Sequence, residues 1–276
     1  MNNRHVFKTI HQEVFSSRMR RLVSFESKCV TDFKILHQSI DEYGPLMVLD
    51  NKDTRILAFA DNDEQSKLLK LTPHIPQHTY LQAMLLVLLF CQPKRVMILG
   101  LGGGGLIHAL KHFDAGIKMT AVELREEVIV LSKRFFQLPV GKKLTLINQD
   151  AQSFLAQKEY KKVDVVFADI YDADGVDEAQ LSADFIALCA NAIKDKGFLV
   201  LNCWKEHSQN QTLLTDLQTH FVDIRACLTG SSNWVIIASK QQQNISVSEL
   251  KSQAQTLSKQ LGFQLDRSLT RFKSLI

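Results

Sequence analysis

The stretch that decides the fold is Val96-Met97-Ile98-Leu99-Gly100-Leu101-Gly102-Gly103-Gly104-Gly105. A short apolar, β-rich run enters it and a helical pattern follows, so the glycines lie in a turn between a strand and a helix. Five of the chain's twelve glycines fall in the six positions 100–105. Glycine permits positive φ angles and lets a ligand approach the backbone closely. A tight turn alone would need one or two glycines, so the crowding favours a ligand-binding loop.

Strand-like runs alternate with helical patterns on the C-terminal side of this loop. The predicted strands are 95–99, 117–122, 144–147, 163–168 and 197–203, and the predicted helices are 102–113, 125–136, 151–157, 181–193 and 208–217. Such alternation predicts right-handed βαβ units and a doubly wound parallel sheet. Two final strands, 221–225 and 234–239, are joined by a connection that only an antiparallel pair allows. The fold class is therefore α/β, with a Rossmann-like sheet that ends in an antiparallel strand pair.

The N-terminal part of the chain has a different pattern. Short alternating runs at 33–37, 46–49 and 56–59 are separated by turn-forming residues. They predict a small antiparallel β region, which is followed by a helix over 79–91 that ends before Pro93.

Three parts of the chain follow from these patterns. After Lys240 the sequence becomes polar, and a weakly amphipathic helix is predicted over 247–261. We therefore expect an N-terminal segment with a small β domain, a Rossmann-like transferase domain and a C-terminal helical tail, with limits at 1–75, 76–240 and 241–276.

Two acidic residues end the strands that follow the glycine loop. Glu123 comes 23 positions after Gly100, where a carboxylate can accept both ribose hydroxyls of an adenosine or remain an exposed charge. Asp150 can accept from an adenine amino group, cap the helix that begins at Ala151, or do both. The residues expected to hold a nucleoside are Gly100, Gly102, Gly103, Gly104, Glu123, Asp150 and Ala151.

A cluster of carboxylates follows the fourth strand of the predicted parallel sheet. Its sequence is Asp169-Ile170-Tyr171-Asp172-Ala173-Asp174-Gly175. Ligands of open α/β sheets bind at the carboxyl ends of the strands, and three carboxylates there need a cation. An amine substrate fits this need. A bound metal and a solvated loop are the alternatives, and the lack of a nearby histidine disfavours the metal.

The composition excludes several classes of protein. Of 276 residues, 45% are hydrophobic and 22% are charged, and the net charge is +4. These values exclude disorder for the bulk of the chain, and the charge is too small to argue for nucleic acid. Five irregularly spaced cysteines show no disulfide or zinc pattern. The longest apolar run, 83–91, is too short to span a membrane, and the N-terminus lacks a signal peptide's apolar region. We expect a cytoplasmic protein with no membrane partner and no metal.

The stretch from Lys94 to Trp204 resembles the polyamine aminopropyltransferases, the family of spermidine synthase. That family carries GGGDGG after the first strand, then a VE(I/L)D-type ribose acid, a (G/Q)D-type adenine acid and a D-S-x-D-P loop. The equivalents here are GLGGGG at 100–105, VELRE at 122–126, QDA at 149–151 and DIYDA at 169–173. The order of strands also resembles the class I S-adenosylmethionine-dependent transferases.

The resemblance implies a reaction and roles for particular residues. The family transfers an aminopropyl group from decarboxylated S-adenosylmethionine, a co-substrate and not a permanent cofactor, to an amine such as putrescine. Methylthioadenosine is left. By match to the motif, Asp169 is the general base and Asp172 holds an ammonium group of the acceptor. Family members are often dimers, so a homodimer is possible here.

Several family positions differ in this chain. The family's Y-H-E would fall at 67–69, where the sequence is Lys-Leu-Leu, and its GGGDGG aspartate corresponds to Gly103. In the family that aspartate pairs with the donor's amine and repels the carboxylate of intact S-adenosylmethionine. Loss of this aspartate relaxes the preference for the decarboxylated donor over intact S-adenosylmethionine. The candidates for rebuilding a substrate pocket are Tyr80, Gln82, Tyr171 and Asp174. The alternative for each of them is a role in ordinary packing or an ordinary surface position.

Three other functions remain as alternatives. One is a methyltransferase that uses intact S-adenosylmethionine, which Gly103 in place of aspartate favours. Another is a non-catalytic nucleoside- or polyamine-binding homologue, which the missing Y-H-E favours. The third, an NAD-dependent oxidoreductase, has only the GxGxxG match in its support and is disfavoured by the terminal antiparallel strands.

Overall fold

The part of the chain that the structure describes folds into two β-sheets, one small and antiparallel and one large and mixed. The structure is a computed structural model that describes residues 33–60, 63–171 and 175–276. The segment 1–32 and the predicted site residues Asp172 and Asp174 lie outside the described residues.

The small sheet is the N-terminal β region that the sequence predicts. It has four antiparallel strands in sequence order: β1 (Lys34–Asp41), β2 (Gly44–Asp50), β3 (Thr54–Ala58) and β4 (Glu64–Leu69). The fourth strand was not predicted. Its sequence is EQSKLL and its only buried residue is Leu68, so it lacks an alternating apolar pattern.

The large sheet has eight strands in the order β12-β10-β11-β9-β8-β5-β6-β7. Its strands are β5 (Arg95–Leu99), β6 (Lys118–Glu123), β7 (Leu144–Asn148), β8 (Val163–Ala168), β9 (Ile193–Trp204), β10 (Asp223–Leu228), β11 (Asn233–Ser239) and β12 (Phe272–Ser274). Strands β5 to β9 are parallel, and β11 is antiparallel to both β9 and β10. This confirms the predicted fold class. The three-residue strand β12, which pairs with β10, was not predicted.

Helices connect the strands and follow the predicted pattern. They are α1 (Thr79–Met84), α2 (Gly105–Phe113), α3 (Glu126–Phe135), α4 (Ala151–Gln157), α5 (Ala183–Ala192), α6 (Gln211–Gln218), α7 (Val247–Leu261) and α8 (Asp266–Thr270). The helix predicted over 79–91 is shorter, because the chain tightens at Leu85–Leu89 into a 3₁₀ helix whose five residues are all buried.

The central strand β5 is buried on both faces, which explains its continuous apolar sequence. Val96 and Ile98 pack into one hydrophobic cluster, and Met97 and Leu99 pack into another on the opposite face. Four residues of α7 join the first cluster: Leu250, Ala254, Leu257 and Leu261. The C-terminal helix is therefore part of the main core. The domain limits at 75 and 240 stay predictions.

An apolar cluster and one arginine connect the small sheet to the large one. Leu46, Val48 and Leu57 of the small sheet pack in one cluster with Val128 and Leu131 of α3. Next to this cluster the Arg125 side chain is only 8% exposed. Its guanidinium binds both carboxylate oxygens of Asp41, at 3.0 and 2.8 Å. It also donates to the Gly44 carbonyl at 2.9 Å and lies 4.5 Å from the centre of the Phe59 ring.

Within 33–60, 63–171 and 175–276, none of the helices has the length and apolar character needed to cross a membrane.

The packing at Gly100 generates a stability prediction. A Cβ atom at Gly100 would lie 2.1 Å from the Asp169 carbonyl oxygen, and the Gly100 φ angle is +92°. We expect Gly100→Ala to lower the free energy of unfolding by about 2–4 kcal/mol, because both backbone strain and a clash with the main chain result. Urea unfolding measures this change. The matched control is Gly141→Ala, since a Cβ there meets nothing within 4 Å. Equal stability of the two variants would contradict the prediction.

Candidate functional site

A cavity of ≈ 250 Å³ lies where the glycine loop meets the carboxyl ends of the parallel strands. The strand order reverses between β5 and β8, the position at which open α/β sheets bind ligands. The small sheet contributes to the cavity wall through Tyr43, Phe59, Gln65 and Ser66.

The glycine loop presents main chain to this cavity. Gly100, Gly102 and Gly104 all line it, and all three have positive φ angles of +92°, +50° and +77°. The Gly100 amide donates to the Val122 carbonyl at 2.9 Å, and the Asp169 amide donates to the Leu99 carbonyl at 2.9 Å. These two bonds hold the loop between the ends of β6 and β8.

Gly103 differs from its neighbours in the loop. Its amide donates to the Ser66 hydroxyl at 2.8 Å, and it is not among the residues that line the cavity. A Cβ atom there would lie 2.9 Å from both Ser66 and Phe136. An aspartate at this position would therefore need both neighbours to move.

Glu123 lies at the end of β6 with its carboxylate in the cavity wall. One oxygen accepts from the Leu101 amide at 2.9 Å, and the other accepts from the Arg125 amide at 3.0 Å. Burial raises the pKa of Glu123, and these backbone hydrogen bonds act against that rise. A carboxylate has about four acceptor positions, and Glu123 also accepts from the Gly102 amide, so part of its acceptor capacity remains for further donors such as hydroxyls.

Asp150 and Ala151 lie beyond Glu123 along the same wall. Asp150 caps helix α4 by accepting from the Ser153 amide at 2.7 Å. The residue is exposed, so its carboxylate can also accept from an amino group. Capping the helix and accepting from an adenine amino group are the two roles that the sequence left open. One side chain can therefore fill both.

Asp169 follows β8 and faces the same cavity. Burial raises its pKa from the usual 3.8 to about 6, although hydrogen bonds from Asn202 and Tyr80 lower it. The Asn202 amide donates to Asp169 Oδ1 at 2.8 Å. Near neutral pH this carboxylate is ionised, but its raised pKa makes it a stronger base than an ordinary carboxylate. It can therefore accept a proton.

Tyr80 and Tyr171 both line the cavity and both lie close enough to Asp169 to interact with its charge. Tyr80 donates its hydroxyl hydrogen to Asp169. Burial and the charge of Asp169 raise the pKa of Tyr171, whose hydroxyl accepts from the Asn233 amide at 3.3 Å. Both tyrosines therefore stay protonated as neutral hydrogen-bonding groups.

A buried amide network behind Asp169 was missed by the sequence analysis. Asn202 accepts from Asn233 at 3.3 Å through its side chain, and its carbonyl accepts from Gln180 at 3.0 Å. The signal that could have found Asn202 is a polar residue within the apolar strand Gly197-Phe-Leu-Val-Leu-Asn-Cys203. A buried amide needs partners, and a carboxylate is a natural one.

Gln82 has a different position from the one expected of a substrate-binding residue. Its amide donates to the Pro76 carbonyl at 2.8 Å, and it is not among the residues that line the cavity. The positions 67–69 lie on β4, where Lys67 pairs with Glu64 at 3.4 Å. Tyr80, from the following helix, is the side chain that reaches Asp169.

Among the residues that the structure describes, no group of three or more His, Cys, Asp or Glu side chains is arranged to hold a metal ion.

Comparison with known proteins gives a relationship over most of the chain. The family model described as the spermine/spermidine synthase domain matches residues 73–250. The polyamine aminopropyltransferase of Neisseria meningitidis is 28% identical over 204 residues, covering 71% of this chain and 76% of its own.

Solved structures show the same fold. A probable spermidine synthase from Corynebacterium glutamicum superposes with a TM-score of 0.71 at 15% identity, over 87% of this chain and 90% of its own. A spermidine synthase in complex with the transition state analogue AdoDATO has a TM-score of 0.66 at 16% identity, over 87% and 85%. The match of the family model extends from just before α1 past the last long strand of the sheet, and on this evidence the chain belongs to the spermine/spermidine synthase family.

Proposed function

We propose that this protein transfers an aminopropyl group from decarboxylated S-adenosylmethionine to a small amine of the putrescine type. The observation that carries the proposal is the placement of a partly buried carboxylate directly beside a nucleoside-type loop. The main chain of Asp169 is so close to Gly100 that no side chain fits between them. Membership of the family and the similarity to curated aminopropyltransferases support the same activity.

The nucleoside of the donor fits the wall formed by β5, β6 and α4. Its ribose hydroxyls would donate to Glu123, and its adenine amino group would donate to Asp150. The glycines at 100, 102 and 104 would let the sulfonium side of the donor lie against the main chain, where a Cβ atom would otherwise intrude. Ala151 adds a small apolar surface next to Asp150.

The chemical step needs an unprotonated amine next to the sulfonium. The amine nitrogen forms a bond to the carbon attached to sulfur, the carbon–sulfur bond breaks, and its electron pair neutralises the sulfonium to give methylthioadenosine. The proton released from nitrogen passes to Asp169. The sulfonium supplies the driving force, so the protein contributes mainly orientation and proton transfer.

Asp169 suits this role because of its surroundings. An alkyl ammonium has a pKa of about 10.4, so little of the amine is neutral at pH 7. A carboxylate with a pKa of about 6 accepts a proton more readily than an ordinary one, yet stays ionised at pH 7. Tyr80 and Tyr171 lie beside it as neutral groups that can orient the amine. Asp172 and Asp174, as expected from the sequence, would hold a second ammonium group.

The activity is tested with both donors and a panel of diamines. We expect methylthioadenosine from the decarboxylated donor, measured by chromatography, and a loss of at least about 100-fold in kcat for Asp169→Asn because the proton acceptor is removed. The control is Glu178→Gln, which removes a carboxylate that is 87% exposed. A methylated acceptor formed from intact S-adenosylmethionine would instead support the methyltransferase alternative. Binding without turnover of either donor would support the non-catalytic one.

The pH dependence of the reaction tests the part that Asn202 has in it. In the pH profile of the reaction, activity should decrease on the acid side with a midpoint near pH 6, because protonation of Asp169 removes the base. Asn202→Leu removes a donor that stabilises the charged carboxylate, so the pKa of Asp169 should rise. The acid limb should then move to higher pH by about one to two units, since a hydrogen bond to a charged group contributes about 1.5–3 kcal/mol.

The position of the limb separates this effect from loss of structure. Asn202→Leu should approach the wild-type kcat above the shifted limb, whereas a merely unfolded fraction would lower kcat equally at every pH. Glu178→Gln should leave the limb in place. An unshifted limb in Asn202→Leu would contradict the assignment of Asn202 as the residue that holds the base.

A further inference from the structure

Tyr43 is a bulky aromatic residue at the centre of a two-residue turn. The turn joins β1 to β2, and Asp41 pairs with Gly44 across it. Such turns favour glycine, asparagine or aspartate at their centre, so the local geometry gives no reason for a tyrosine. The side chain is 43% exposed, yet it lines the cavity of the large domain.

The turn is held on both sides of Tyr43 by a single side chain from the large domain. The guanidinium of Arg125 binds the carboxylate of Asp41 through two nitrogens and donates to the carbonyl of Gly44. Asp41 also accepts from the amide of Tyr43 at 2.9 Å. Arg125 therefore fixes the residues that flank Tyr43.

Arg125 also connects this turn to the expected ribose site. Its own amide donates to Glu123 Oε1 at 3.0 Å. A single residue thus holds Glu123 with its main chain and the turn of Tyr43 with its side chain. The position of Tyr43 is in this way tied to the position of Glu123.

The remaining surroundings of Tyr43 place it at the nucleoside end of the cavity. Partial burial raises the pKa of its hydroxyl, and the charges of Glu42, Asp41 and Asp150 add to the rise while Arg125 opposes it. Asp150 is the residue to which the adenine amino group is assigned. An exposed aromatic face on this wall has the chemistry to cover a heterocyclic base, which aromatic side chains bind by stacking.

We propose that Tyr43 is a further binding residue, which covers the base of the donor nucleoside, and that Arg125 is the positioning residue that holds it there. The inference rests on the proposed function, because it assigns the nucleoside to this end of the cavity. It adds a contact from the small sheet to a nucleoside site whose other assigned residues belong to the large one.

The experiment measures the Kd of methylthioadenosine by calorimetry for the full chain and its variants. We expect Tyr43→Ala to raise Kd roughly tenfold, and Tyr43→Phe to stay within about twofold because the aromatic face remains. The matched control is Ile35→Ala, in the same sheet, whose side chain is 46% exposed. It should leave Kd unchanged. Putrescine as a second probe should bind Tyr43→Ala and the wild type equally.

Arg125→Lys tests the positioning role, because lysine keeps the charge but loses the two-nitrogen contact with Asp41. It should raise Kd by a factor similar to that of Tyr43→Ala, and the double variant should bind no more weakly than the weaker single one. Urea unfolding of each variant shows that the folded protein is being measured. Losses that multiply in the double variant would overturn the positioning role.

The outcomes distinguish this inference from the proposed function. If wild type binds methylthioadenosine and Tyr43→Ala binds it equally well, the role of Tyr43 is overturned and the proposed function stands. If wild type does not bind methylthioadenosine, the proposed function is overturned and this inference with it.

Discussion

The close approach of the glycine loop to the end of β8 is the constraint on which the rest of the site depends. The carbonyl of Asp169 occupies the space where any side chain at Gly100 would begin. The two strand ends therefore meet main chain to main chain, and the amide hydrogen bonds between β5, β6 and β8 fix their relative height. A ligand on the glycine loop is in consequence always beside the carboxylate of Asp169.

The surroundings of that carboxylate explain how it can be partly buried and still ionised near neutral pH. A buried carboxylate without partners would become protonated, and one with many donors would become a weak base. Within the described residues, Asp169 has an amide and a phenol hydroxyl as donors and no cation among its hydrogen-bond partners. The side-chain oxygen of Asn202 accepts from Asn233 and its main-chain carbonyl accepts from Gln180, so the amide that donates to Asp169 is itself held in place.

Local patterns predicted the elements whose burial is uniform or strictly periodic. Strand β8, helix α4 and helix α7 have the bounds expected from the sequence, because a continuous apolar run or an amphipathic repeat defines each of them. The sequence does not predict strand β4, because this strand buries only one side chain. It predicts a helix at Leu85–Leu89 but not that this helix is 3₁₀, because periodicity does not separate 3₁₀ from α geometry in an apolar run.

The meeting of Glu123, Asp150 and Asp169 at one cavity was predictable, because each is a carboxylate at the end of a strand. The site was not predictable where the contact joins distant parts of the chain. Nothing local to Arg125 indicates that its side chain crosses to Asp41, 84 positions earlier. Gln82 is a polar residue that the sequence analysis assigned to the cavity although it does not line it. Its side chain lies on helix α1 and donates to the Pro76 carbonyl.

The insertion of β11 between β9 and β10 has a consequence for synthesis of the chain. Ribosomes make the N-terminal end first, so the glycine loop, Glu123 and Asp169 all emerge well before Asn233. Until β11 enters the sheet, Asn202 lacks the hydrogen bond from Asn233 and β9 has an open edge. The strand ends at Gly100, Glu123 and Asp169 are therefore synthesised before the last member of the amide network that contacts Asp169. That network is complete only after residue 233 has been made.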